Sequence, residues 1–373
     1  MKAPKLRFKG FADNWETKKI KDIATVNQGL KISVNDRFFE KGENRFLYIT
    51  NEFLKRSSKV KYYIDNPQKS VLCHEEDILM TRTGNTGQVV SNVSGAFHNN
   101  FFKINYNKSL ISRDYLISFL KLKSTQKIIM AYAGQSTVPD LKHGDFYKIK
   151  ISYPSLKEQE KIGKFINELE RKIKLQQGKI ELLREQKKGY MRKIFSQELR
   201  FRDDDGREFP GWDLRKLGDV IKVNLGRDYK HLNIGNIPVY GTGGYMLSVN
   251  EFLSDEDAIG IGRKGTINQP QKLFAPFWTV DTLFYCTPKK YNDFDFIYIL
   301  FQYIKWEKYD ESTGVPSLSK KTIENIVFPI PCYEEQRKTG SLFKKFNERI
   351  LLESDKLVEL QNQKQAYMQQ MFI

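Results

Sequence analysis

Apolar positions fall into a heptad over two long stretches of the chain. In the first, Ile162, Ile166, Leu169, Ile173, Ile180, Leu183, Tyr190 and Ile194 recur three, four or seven residues apart, which places them on one stripe of a helix. The second repeats the pattern with Phe343, Phe346, Ile350, Leu357, Leu360, Tyr367 and Met371. Gln176 and Glu353 take matching seam positions, as do Lys187 and Lys364; polar seam residues lower stability and set register. Each seam lasts roughly 40 residues, longer than an ordinary globular helix, and predicts a rod of about 60 Å. Seams of this length favour two helices packed on each other, antiparallel because the connections are short. The alternative is two separate helices, each lying on its own domain core. Pro154 precedes the first helix, with Ser155 and Glu158 spaced as a capping box. The second starts at Cys332, where a good N-cap residue would be expected.

Ahead of each rod lies a mixed region. Phe46-Leu47-Tyr48-Ile49-Thr50 and Tyr147-Lys148-Ile149-Lys150-Ile151 read as strands. Ser112 before Tyr115-Leu116 and Asp293 before Phe296-Ile297 read as N-caps of shorter helices.

These correspondences belong to an internal duplication. Leu6-Arg7-Phe8 returns as Leu199-Arg200-Phe201, Trp15 as Trp212 and Gly29 as Gly226, the last two pairs both 197 residues apart. Asp77-Ile78-Leu79-Met80-Thr81-Arg82-Thr83-Gly84 faces Ala258-Ile259-Gly260-Ile261-Gly262-Arg263-Lys264-Gly265 at an offset of 181. Val138-Pro139, Glu158-Gln159 and Tyr190-Met191 face Val315-Pro316, Glu335-Gln336 and Tyr367-Met368 at 177. The falling offset makes the variable part of the second copy about 20 residues shorter.

The 373 residues suit two or three domains, and the 26 Phe and 19 Tyr suffice for their cores. A net charge of +17 draws a polyanion, nucleic acid first and a membrane surface second. No apolar run approaches the roughly 18–20 residues that span a bilayer, and Met1-Lys2-Ala3-Pro4-Lys5-Leu6-Arg7 lacks the apolar stretch of a signal peptide. Cys73, Cys286 and Cys332, odd in number and without metal-site spacing, read as reduced thiols of a cytoplasmic protein.

Catalytic signatures are missing. Gly260-Ile261-Gly262-Arg263-Lys264-Gly265 has the wrong order for a phosphate loop, and the Asn-Pro-Pro-aromatic string of amino-methyltransferases does not occur. Pro139-Asp140 followed by Glu170-Arg171-Lys172 imitates a nuclease pattern, but its second element falls inside the heptad helix and the other copy has Pro316-Ser317. His74, His98, His143 and His231 stand singly, without ligand-like partner spacing. Gly241-Thr242-Gly243-Gly244 has no helical pattern behind it and reads as a turn or a loop near DNA.

Two similar regions, each ending in a Pro-x-x-x-Glu-Gln segment and a long helix, resemble the specificity subunits of type I restriction–modification enzymes. The strings are Pro154-Ser155-Leu156-Lys157-Glu158-Gln159 and Pro331-Cys332-Tyr333-Glu334-Glu335-Gln336, supported by Trp15, Trp212 and the Arg-x-Gly segments at Arg82 and Arg263. The resemblance implies an α+β chain: two similar mixed α/β target-recognition domains, residues 1–154 and 198–330, joined by two helices, 155–197 and 331–373, in an antiparallel coiled coil. It implies that each domain reads one half of a split, asymmetric target in double-stranded DNA, while the helices set the spacing and dock other chains. Two modification subunits would carry S-adenosylmethionine, and two restriction subunits ATP and magnesium. This chain would hold no cofactor, no metal and no catalytic group, and no membrane partner. The competing readings are an orphan or architectural DNA-binding protein, which would bind DNA regardless of modification subunits, and a nuclease, which would cut alone with a metal.

Arginine and lysine give affinity through phosphates, whereas base-edge contacts give selectivity. Arg82-Thr83-Gly84 and Arg263-Lys264-Gly265 pair a forked cation with a glycine that lets the backbone approach; the bland reading is a turn with a solvated arginine. Lys31, Asn85, Gln135, Ser136, Arg227, Lys230, Tyr240, Thr242 and Asn268 join Arg82, Thr83, Arg263 and Lys264 as DNA-binding candidates on residue type, loop-like context and approximate family position.

Overall fold

A computed structural model describes residues 4–55, 58–134 and 137–373. It divides into two compact units, Met1–Gln176 with Leu357–Ile373, and Gln177–Lys356.

In the first unit, Glu16–Lys19 pairs antiparallel with Lys150–Tyr153. A four-stranded antiparallel sheet follows in the order Ala24–Gln28, Phe101–Tyr106, Ile78–Thr81, Val89–Ser91. Ile78–Thr81 is buried at all four positions, three of them apolar in succession. A second sheet runs Tyr62–Asp65, Arg45–Ile49, Gly95–Phe97, Leu72–Cys73. Ser112 caps the helix Arg113–Leu120 by accepting from Tyr115 N. Buried side chains of these strands and helices, among them Ile20, Phe102, Tyr115, Leu116, Phe146 and Ile151, form one core with Ile162 and Ile166 of the long helix. The expected strand at Tyr147–Ile151 is half wrong. His143–Lys148 is a short helix that buries Phe146 and directs the Tyr147 hydroxyl to Val26 N, and the strand begins only at Lys150.

The second unit repeats the plan. Asp213–Lys216 pairs with Val327–Ile330, and Ile221–Leu225, Leu283–Pro288, Ala258–Gly262 and Gln271–Leu273 form the matching four-stranded sheet. Asp293 caps Phe294–Tyr303 through Phe296 N at 2.9 Å. The other sheet has three strands, Gly244–Val249, Ile234–Gly241 and Trp278–Thr279, against four in the first unit. This is where the second copy is shorter. Gly241–Gly244 is the turn of a hairpin.

The long helices are Leu156–Phe195 and Tyr333–Met371, and each contributes to both units. In the first unit Phe165 meets Tyr367 at 5.0 Å between rings, and Lys364 reaches Glu170 at 2.6 Å. In the second, Lys179 bonds Glu353 at 2.8 Å and Tyr190 meets Phe346 at 5.6 Å. As one helix ascends the other descends, so within each unit the pairing is antiparallel. The helix after Cys332 starts at the position matching Leu156, weak cap notwithstanding.

The expected capping box at Ser155 and Glu158 is replaced by a longer-range arrangement. Both Glu158 oxygens accept from Arg7, at 2.8 and 2.7 Å, and Glu335 is forked by Arg200 at 3.2 and 2.7 Å. The neighbouring glutamines reach the shorter helices: Gln159 Oε1 accepts from Ser112 N, and Gln336 Oε1 from Asp293 N, both at 2.9 Å. The Glu-Gln doublet therefore ties the entry segment and a capped helix to the start of each rod.

Candidate nucleic-acid interface

The Arg-x-Gly segments are turns that follow the buried strands Ile78–Thr81 and Ala258–Gly262. Gly84 and Gly265 hold φ of +83° and +87°, a conformation that L side chains rarely adopt. At Gly84 a Cβ would also lie 2.0 Å from Asn51 Nδ2. The glycines leave Thr83, Asn85 and Lys264 on open turns, with Asn85 and Lys264 exposed.

In the first unit the Arg82–Asn85 turn meets a second loop. Arg82 N donates to Asn100 O at 2.7 Å, Asn99 N to Leu30 O at 3.1 Å, and His98 N to Ile49 O at 2.9 Å. The His98–Asn100 loop thus links Lys31, exposed beside Leu30, to the Arg82–Asn85 turn. Asn51 closes the cluster by donating Nδ2 to Thr83 O at 3.2 Å. Burial, with the Arg37 and Lys31 charges, pushes the His98 imidazole down to about 4.

The second unit builds the same crossing from other residues. Arg227 N donates to Thr279 O at 2.8 Å, Val280 N to Tyr240 O at 3.0 Å, and Arg263 N to Thr282 O at 2.8 Å. One loop, Thr279–Thr282, therefore gathers Arg227, Tyr240 and Arg263, and Lys264 follows in the Arg263 turn. Thr242 sits at the adjoining hairpin tip, where Gln271 Nε2 holds Gly241 O at 2.8 Å.

Two candidates lie outside these clusters by contact. Asn268 gives its amide to Glu307, and Lys230 sits after an Asp228 turn with its side chain in solvent. Gln135 and Ser136 fall outside the described residues. Sequence reasoning missed Asn51, Asn99 and Asn100, which carry no motif and assemble only through the sheets. Asn51 Oδ1 and Asn99 Oδ1 are buried without a hydrogen-bond partner.

The nuclease imitation is occupied by cations. Asp140 is forked by Arg82, Nε to Oδ1 at 3.0 Å and Nη2 to Oδ2 at 2.6 Å, and Glu170 is held by Lys121 and Lys364. Among the described residues no group of three or more His, Cys, Asp or Glu could hold a metal. Burial pushes the Cys73 thiol up to about 11 and that of Cys286 higher still, so both are poor nucleophiles. No described helix is long and apolar enough to cross a membrane.

A family model described as type I restriction modification DNA specificity domain matches residues 12–185 and again 210–362. The type I restriction enzyme MjaVIII specificity subunit of Methanocaldococcus jannaschii is 23% identical over 397 residues, covering 95% of this chain and 91% of the relative. The solved S subunit of a type I restriction-modification system from M. genitalium aligns with a TM-score of 0.70 at 19% identity, over 100% of this chain and 99% of that one. A chain from a structure on complex assembly and conformational transition of the type I R-M system gives 0.53 at 14% identity, over 96% and 97%. At these identities the structural likeness speaks for the fold alone.

Proposed function

Because the chain belongs to the type I restriction modification DNA specificity domain family, as a non-catalytic specificity subunit, we propose that its two units each read one half of a bipartite, asymmetric DNA target. The observation that carries this is the repeated loop crossing, with one frame and two sets of side chains. Lys31, Asn51, Arg82, Thr83 and Asn85 furnish the first; Arg227, Tyr240, Thr242, Arg263 and Lys264 furnish the second. A shared frame with different hydrogen-bonding groups presents different donor and acceptor patterns to base edges. The net charge of +17 supplies the attraction to phosphates that is common to all sequences.

Modification and restriction subunits are the partners that fit this reading, two of each, with S-adenosylmethionine in the former and ATP and magnesium in the latter. The helices Leu156–Phe195 and Tyr333–Met371 are the elements proposed to receive them. The test is methylome sequencing of cells that carry the chain with its modification subunits, before and after residues 214–329 are exchanged for those of a relative. Methylation of a split site, with one half changed by the exchange, is expected. Methyl transfer by the purified single chain, or a change in both halves, would overturn the proposal.

A further inference from the structure

The two Arg-x-Gly turns share a backbone and differ in one partner. Leu141 N donates to Arg82 O at 2.8 Å, and Leu318 N to Arg263 O at 2.9 Å. The isolated bridges Thr83–Asp140 and Lys264–Ser317 set position 140 of the first unit against position 317 of the second. Asp140 grips Arg82 through both carboxylate oxygens. Ser317 offers no carboxylate, and its N–H is turned to Asp310 at 2.9 Å. Arg263 is left with a bond of 3.3 Å from Nη1 to Asp281 O.

A guanidinium has five N–H donors arranged in a rigid fork. The Asp140 pair uses Nε and one hydrogen of Nη2, so the edge formed by Nη1 and the second Nη2 hydrogen lies outside the pair. That edge has the geometry to bridge O6 and N7 of guanine. The carboxylate has two effects on it. Fixing the guanidinium plane removes part of the ordering cost of binding. Cancelling the positive charge weakens attraction to phosphates, which act through charge, while the donor pattern that selects a base remains. An arginine without such a partner keeps its full charge and suits a phosphate.

Resting on the DNA-reading role proposed above, we infer that Asp140 is a positioning residue that makes Arg82 a reader of a guanine edge, whereas Arg263 contacts phosphate. The first unit then gains selectivity at this place and the second gains affinity.

The test uses the chain in complex with its modification subunits, measuring affinity against salt for cognate and scrambled duplexes, together with the methylated target. Asp140→Asn and Asp140→Ala should each lose about tenfold or more of cognate affinity and relax one base pair of one half-site. Binding to scrambled DNA should rise, because a negative charge has gone. Arg82→Lys, which keeps a cation but not the fork, should relax the same base pair, and serves if Asp140→Ala fails to fold. Arg263→Ala should weaken both duplexes alike and reduce the salt slope by about 0.9; Ser317→Asp should do the same. An unchanged target with equal or tighter cognate binding in the Asp140 variants would overturn the inference, as would base-specific relaxation in Arg263→Ala. If the wild-type complex methylates no specific site, it is the DNA-reading proposal that fails instead.

Discussion

His98 shows how one side chain ties the candidate interface to stability. Its Nδ1 accepts from Asn100 N at 3.1 Å, which requires the neutral ring, and burial with Arg37 and Lys31 nearby depresses its pKa to about 4. In the unfolded chain the imidazole takes up its proton near pH 6.5. The folded state therefore binds fewer protons between about 6.5 and 4, and stability present above that window is lost as pH falls through it. The thermal midpoint should drop over this range, and His98→Gln should drop less than wild type between the same pH values. Calorimetry at pH 7 and pH 4.5 on both proteins checks this; parallel curves would show that other groups govern the acid transition. Much of this scale was legible beforehand, because an arginine followed two residues later by glycine is a local signal. Asp140 was not legible as its partner. The two are 58 residues apart, and only the sheet brings them together.

Among the elements, the Glu-Gln doublet is the joint on which each half depends. Glu335 is 1% exposed and is held by Arg200 and by Trp212 Nε1 at 3.1 Å. Arg200→Met would leave a buried carboxylate without its cation, a loss of about 3–5 kcal/mol that urea denaturation should register. Adding Glu335→Leu to Arg200→Met should recover most of it, since the uncompensated charge is then gone. A single variant as stable as wild type would mean that Glu335 is solvated by other means. The sequence showed that this doublet recurs and where the rods begin, because heptad and capping signals are local. It also suggested a wrong partner for Glu158: Ser-x-x-Glu fits one helical turn, whereas Arg7 lies 151 residues away. Tyr147–Ile151 misled for the opposite reason, its alternation imitating a strand while Phe146 and Tyr147 anchor a short helix turn.

At the scale of the whole molecule, the repeats announced two like halves, the heptads and short connections announced antiparallel rods, and the family resemblance supplied the domain plan. Among the described residues the shorter second copy has one strand fewer in its smaller sheet. The two units also close in the same way. Leu199 N bonds Lys193 O at 3.0 Å just after the first rod, and Leu6 N bonds Gln370 O at 2.9 Å beside the end of the second. Phe195 and Phe372 stack on Tyr303 and Tyr115 at 4.5 and 4.9 Å. In one unit three residues carry the backbone from Phe195 to Leu199; in the other the same junction is made without a covalent link. The contacts that close each half are thus alike whether or not the chain runs continuously across them. A permuted chain, opened between Gln197 and Glu198 and joined from Phe372 to Leu6 through three residues, should fold with a thermal midpoint close to that of the original. With modification subunits it should mark the same DNA sites, so the order in which the halves are synthesised is incidental to what the protein reads.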